Sequence, residues 1–296
     1  MDSSDSITVL RLAVVVIVLS YASQLDWRTR KIGNIHWIVL SVTGLVLIPI
    51  QISIDEQPIE YALVLVPILA ILSDVYLDAG EGTTWAKIAP ALKYALAIIA
   101  MVGLGYAWVE TGYFQHLLAV PVMMLFIVLM YMLDVIRGGA DAKALLAISV
   151  LFPFYPAVES LPLIGVESGN AGEVIFPFSF VVLVTAAVIV AFFPLWFAVK
   201  NVSKHEFRFP QGLLGYKMDA NSIKGKHVWL MERMEEGTHK TYTRPKAKED
   251  LEKEVNLLID AGISRIWVTP KVPFIIPILV ASVFSATIGD FLLLFV

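Results

Sequence analysis

Residues 116–157 read HLLAVPVMMLFIVLMYMLDVIRGGADAKALLAISVLFPFYPA, and this stretch decides the architecture. From Leu117 to Leu133 there is no charged side chain. About 20 such residues, wound as a helix, cross the hydrocarbon core of a bilayer. A second apolar run follows at 142–157, with Pro153 and Pro156 near its end. Proline breaks helices, so this run predicts a tilted helix or one that stops short of the far face. The first run is bounded at 116–136, and where the two runs meet lies a polar hinge, with Arg137, Gly138, Gly139 and Asp141 between them and Asp134 and Lys143 at their facing ends.

Outward from this hairpin the pattern repeats. Further apolar runs at 7–25, 35–53, 60–77, 88–109, 174–199 and 273–296 bring the total to eight. The chain has 296 residues, 58% hydrophobic and 16% charged, against about half and about a quarter in a soluble domain. Its mean hydropathy is +0.76. This excludes a soluble globular enzyme and a disordered chain. The fold class expected is an all-α polytopic membrane protein with about eight transmembrane helices. Met1–Ser6 holds Asp2 and Asp5 but no Lys or Arg, so the first run reads as a retained helix rather than a signal peptide.

Charge sets the orientation, because cytoplasmic loops are enriched in Lys and Arg. With the N-terminus outside, Arg28, Arg30, Lys31, Lys87 and Arg137 fall in inner connections. The outer loops then carry Asp55, Glu56, Glu110, Glu159, Glu167 and Glu173 without a basic residue. The segment 200–272 is also inner and holds fourteen Lys and Arg. Within it Gly215–Asp219, His227–Glu232 and Ile263–Val268 read as strands. Lys246–Ala261 reads as a helix stopped by Gly262. The expected organisation is a transmembrane core at 1–199, a small α+β cytoplasmic domain at 200–271 inserted before the last helix, and a C-terminal helix at 272–296. A solvated basic loop lying near anionic lipid is the alternative for the inserted segment.

There is no cysteine, hence no disulfide framework, thiolate nucleophile or Cys-ligated zinc. The five histidines show no metal-ligand spacing, so no metal and no cofactor are expected. Ionisable residues in or beside the spans are therefore the informative ones. Asp26, Asp74, Asp78, Asp134 and Asp141 fall at or near inner ends, and Asp290 near the outer end of the last run. Two carboxylates at one depth can share a proton; one then activates water while the other polarises a carbonyl. Four apolar runs separate Asp26 from Asp141, an even number that returns the chain to the same side. Taken singly, each also reads as a helix-end residue, Asp141 as an N-cap. Gly138 and Gly139 remove side chains beside Asp141 and leave room for a substrate backbone.

Asp26-Trp27-Arg28-Thr29-Arg30-Lys31-Ile32-Gly33-Asn34 resembles the first-aspartate motif of type IV prepilin peptidases. Arg137-Gly138-Gly139-Ala140-Asp141-Ala142-Lys143 resembles the second, the GxGD-type aspartate followed two residues on by Lys. Ala140 departs from the strict pattern and is similar to the GGAD form of the archaeal branch. Trp267-Val268-Thr269-Pro270-Lys271-Val272-Pro273-Phe274 is similar to the entry into the last helix of archaeal preflagellin (prearchaellin) peptidases. Gly215-Tyr216-Lys217 and the stretch from Gly225 to Glu232 resemble their cytoplasmic domain. Shorter relatives have two spans between the aspartates, so an extra pair is expected among 35–136. The cysteine-rich zinc module of the bacterial enzymes is absent, and support for their N-methylation activity goes with it.

The resemblance implies a membrane aspartic endopeptidase of the cell membrane, with Asp26 and Asp141 as its catalytic dyad. Its partners would be archaellin and pilin-like precursors with short basic class III leaders, cut at the cytoplasmic face; nucleic acid is not among them. Gly138, Gly139, Lys143 and Asn34 would support the site. Asp74, Asp78 and Glu81 offer an acidic rim for the basic leader, though they also read as a solvated helix end. Asp134, one heptad before Asp141, is the reserve candidate. The competing class is a proton- or cation-coupled transporter, but no repeat between halves is evident and the acids gather at one face. A presenilin-like protease is disfavoured because no Tyr-Asp pair occurs. An inactive scaffold is left to an activity test.

Overall fold

The computed structural model describes residues 3–76, 84–108, 112–164, 175–235, 237–243 and 251–295. Asp78, Glu81, Glu110, Glu167, Glu173 and the start of the helix expected from Lys246 lie outside them. Chain contacts divide the protein into two units, Met1–Ala187 with Pro273–Val296, and Val188–Val272.

The first unit is helical: α1 (Ser3–Thr29), α2 (Ile35–Ile54), α3 (Leu65–Tyr76), α4 (Thr84–Trp108), α5 (Gly112–Met132), α6 (Gly139–Leu151) and the start of α7 (Phe178–Ser203). A 3-10 turn, Ile59–Val64, leads into α3. Among the described residues five helical segments are long and apolar enough to span a bilayer: Ser3–Thr29, Ile35–Ile54, Ile59–Tyr76, Gly112–Met132 and Phe178–Ser203. The expected eight becomes five by this measure, for local reasons. The sixth run forms a helix of only 13 residues, about 20 Å, against a hydrocarbon core of about 30 Å. Phe152 leaves the helical region because Pro153 follows it. The last run forms a 14-residue helix, Ile275–Ile288, stopped by Gly289 at φ 112°. The apolar stretch of α4 covers Leu92–Gly105.

Helix α2 packs against both α1 and α6, and α5 covers α6 from another side. At Gly44 the α2 backbone meets α6 so closely that a Cβ would lie 2.5 Å from the Val150 carbonyl oxygen. Small residues permit such close approach in membranes, where lipid offers helices no hydrophobic drive to associate. Trp37, Leu40, Ile48, Leu145 and Ile148 are buried around this contact. Buried hydrogen bonds add to the packing: Ser149 donates to Ser179 at 2.8 Å, and Tyr155 to the Ser285 carbonyl at 2.9 Å.

The second unit contains the rest of α7, a small sheet domain and its helix. Strands β1 (Tyr216–Asp219), β2 (Val228–Leu230) and β5 (Arg265–Pro270) form an antiparallel sheet in the order β1-β5-β2. Strands β3 (Glu232–Glu235) and β4 (Thr238–Thr241) form a separate hairpin. Helix α8 (Leu251–Asp260) contributes Val255 and Leu258 to a core shared with Ile223, Val228, Leu230, Ile266 and Val268. That core disfavours the loop alternative. The single strand expected over His227–Glu232 divides into β2 and the start of β3 at Met231, whose N–H bonds to the Trp267 carbonyl. Strand β4 was not expected: Thr238-His239-Lys240-Thr241 carries no apolar alternation and is mostly exposed. The final helix, α9, is Ile275–Ile288.

Candidate active site

Asp26 stands in the last turn of α1. The helix closes there because Arg30 adopts a left-handed conformation, φ 56°, and its N–H bonds to the Asp26 carbonyl. Thr29 reinforces the turn by donating to the Leu25 carbonyl at 2.9 Å. The Asp26 carboxylate accepts a hydrogen bond from the backbone N–H of Ile275, the first residue of α9. A helix N-terminus has free N–H groups and a partial positive charge, so it suits a carboxylate. Helix α9 packs along α1, which holds this contact in register.

Asp141 stands in the first turn of α6. The N-cap is Gly138, extended at φ −87° and ψ 117°, rather than Asp141 itself. The Asp141 carboxylate folds back over Gly138 so tightly that a Cβ there would overlap it. At Gly139 the nearest group to a Cβ is the Tyr131 hydroxyl at 3.6 Å, an ordinary contact. Asp26 and Asp141 sit on different helices, at the end of α1 and the start of α6. The two motifs are tied directly: Lys143 Nζ donates to Asn34 Oδ1 at 2.9 Å. That bond joins α6 to the turn between α1 and α2.

The remaining candidates separate from this pair. Asp74 is engaged by Lys93 and by the Tyr94 hydroxyl, a latch between α3 and α4. Asp134 is exposed after α5, at φ 57°. Asp290 is buried beyond the opposite end of α9, where one carboxylate oxygen accepts the Leu292 N–H at 2.9 Å. A cavity of about 400 Å³ lies beside the first turn of α6, lined by Ile71, Asp74, Tyr94, Tyr131, Gly139 and Lys143 among others. Among the described residues no three His, Cys, Asp or Glu side chains gather as metal ligands. Sequence reasoning missed the Ile275 N–H, since a backbone donor has no signature. It also missed a polar cluster at the other end of the helices, where buried Arg11 bonds to Gln51 and Tyr113 donates to Asp55 at 2.9 Å.

Residues 208–291 match the family model described as Archaeal Peptidase A24 C-terminus Type II. The matched region holds the sheet domain, α8 and α9, and ends before the chain does. No curated protein matches the chain. The match makes this C-terminal part similar to that of archaeal A24 peptidases, and the apolar helices agree with a membrane protein.

Proposed function

We propose that the protein is a membrane-embedded aspartic endopeptidase that removes short basic leaders from archaellin- and pilin-like precursors at the cytoplasmic membrane face. The observation that carries the reading is the Lys143–Asn34 hydrogen bond, which ties the start of α6, with Asp141, to the turn that follows Asp26 at the end of α1. Two carboxylates brought together do not easily ionise at once, so a pair of them can share one proton. Asp26, acceptor of the Ile275 N–H, suits the base. Asp141 then suits the acid.

Asp26 takes a proton from water as the water oxygen bonds to the scissile carbonyl carbon. Asp141 gives its proton to the carbonyl oxygen, which forms a neutral tetrahedral diol. Collapse returns a proton from the diol to Asp141, breaks the C–N bond and passes the proton held by Asp26 to the leaving amine. Both acids end as they began, and no cofactor enters the balance. Gly139, in the first turn of α6, has only the Tyr131 hydroxyl within reach of a Cβ, at 3.6 Å, which leaves a substrate backbone room to approach. In the proposed orientation the basic segment between α7 and α9 is cytoplasmic, as the positive-inside rule requires.

The test is cleavage of a prearchaellin-type precursor in membranes containing this protein, read by gel shift and N-terminal sequencing. Asp26→Asn and Asp141→Asn should each abolish the product at equal expression. Processing that survives Asp141→Asn would remove that residue from the dyad.

A further inference from the structure

We propose that residues 192–209 form an interface anchor that seats the second unit on an anionic lipid headgroup layer. The C-terminal half of α7 is apolar on its exposed side, with Phe192, Leu195, Trp196, Val199 and Val202 all uncovered. It is continuous with a helix long enough to span a bilayer. The basic residues begin where that face ends: Lys200, then Lys204 and Arg208. The Lys200 ammonium lies over the rings of Trp196 and Tyr216, at 4.7 and 3.8 Å.

The chain does not run straight on from the helix. His205 turns left-handed at φ 54°, its N–H bonds to the Val202 carbonyl, and the Glu206 N–H bonds to the Asn201 carbonyl. This paired closure is a Schellman motif. It folds residues 206–215 back to the level of the last helical turn, where the Asn201 amide donates to the carbonyls of Gly212 at 2.9 Å and Gly215 at 2.7 Å. Phe207 is wedged over Gly212, leaving Phe209 presented outward and 74% exposed. Glu206, the one acid of the segment, is already paired with Arg265, one bond being 3.0 Å. What faces outward is therefore aromatic and cationic.

This composition fits a headgroup layer. Aromatic side chains gather at membrane–water interfaces, and each Lys or Arg near an anionic leaflet is drawn to it. In water, Phe209 with its apolar neighbours would be an uncovered patch. The inference does not depend on the peptidase reading, and its test does not use activity.

The chain has no cysteine, so one introduced at Phe209→Cys takes a fluorophore uniquely. The full-length protein would be placed in nanodiscs of phosphatidylcholine with or without phosphatidylglycerol. Quenching would be measured with a nitroxide lipid and with aqueous iodide. Val202→Cys, on the last turn of α7, reports that the helix is inserted. The expected result is lipid quenching at 209 that is strongest with phosphatidylglycerol. The ratio of inserted to free label should fall about fivefold for each of Lys204→Gln and Arg208→Gln. Two results would overturn the proposal. One is a label at 209 open to iodide and silent to the nitroxide lipid while 202 is quenched, which leaves the surface free for a soluble partner. The other is lipid quenching indifferent to phosphatidylglycerol and to both basic residues.

Discussion

Gly138→Ala, compared with Gly139→Ala, separates two adjacent glycines that look equivalent in sequence. Gly138 has φ −87° and ψ 117°, a conformation open to any L-residue, so alanine brings no backbone strain there. Its nearest conflict is with the Asp141 carboxylate, which its Cβ would overlap. Either the carboxylate swings away or the first turn of α6 shifts. A reacting group misplaced by about 1 Å costs roughly 100-fold in rate. Gly138→Ala should therefore lower kcat for precursor cleavage by about 100-fold, while thermal stability moves by less than about 1 kcal/mol. Gly139→Ala meets nothing nearer than the Tyr131 hydroxyl at 3.6 Å. It should keep nearly full activity and gain about 0.5–1 kcal/mol from the stiffer unfolded chain. The assay is cleavage by reconstituted protein under saturating precursor, with melting followed on the same samples. A Gly138→Ala enzyme that cuts at the native rate would refute the reasoning, because Asp141 would then not work from the position over Gly138.

Breaking the Lys143–Asn34 bond by Lys143→Met or Asn34→Ala should slow cleavage about tenfold, with the double variant no slower than either single one; additive losses would show that the two act separately. Gly44→Val should lower stability by about 1–3 kcal/mol, measured by thermal unfolding in detergent, since it forces α2 away from the α6 backbone. Asp74→Asn should leave KM for a basic leader unchanged, because Asp74 is already held by Lys93 and Tyr94; a KM that rises severalfold would return Asp74 to leader binding.

The membrane character was legible because runs such as Leu117–Leu133 have only one physical solution. Asp26 and Asp141 were legible as candidates through parity and local motif. What closes the site was not. Lys143 and Asn34 could be named as supporting residues, but their hydrogen bond depends on how α2 seats against α6. The Gly44–Val150 contact that fixes that seating looks like any glycine in an apolar run. The expected count of eight rests on hydropathy, which reads length of apolar sequence and not length of helix; among the described residues five helical segments have the length to span. Pro153 announced the early end of the sixth run, whereas the stop at Gly289 beyond α9 had no such signal in composition. In the second unit the alternating cores of β1, β2 and β5 were readable. The β3–β4 hairpin was not, because its strands are largely polar and pair mainly with each other.

The Ile275 contact also sets the order in which the protein is built. Translation delivers α1 and α6, with both acids, well before Ile275, since the whole second unit lies between. During synthesis α1 and α6 are made while Asp26 still lacks its backbone partner. The finished arrangement is reached only once the second unit has emerged and α9 has inserted along α1. Asp26 therefore gains its contact with Ile275 last, after α1 to α6 have all been made.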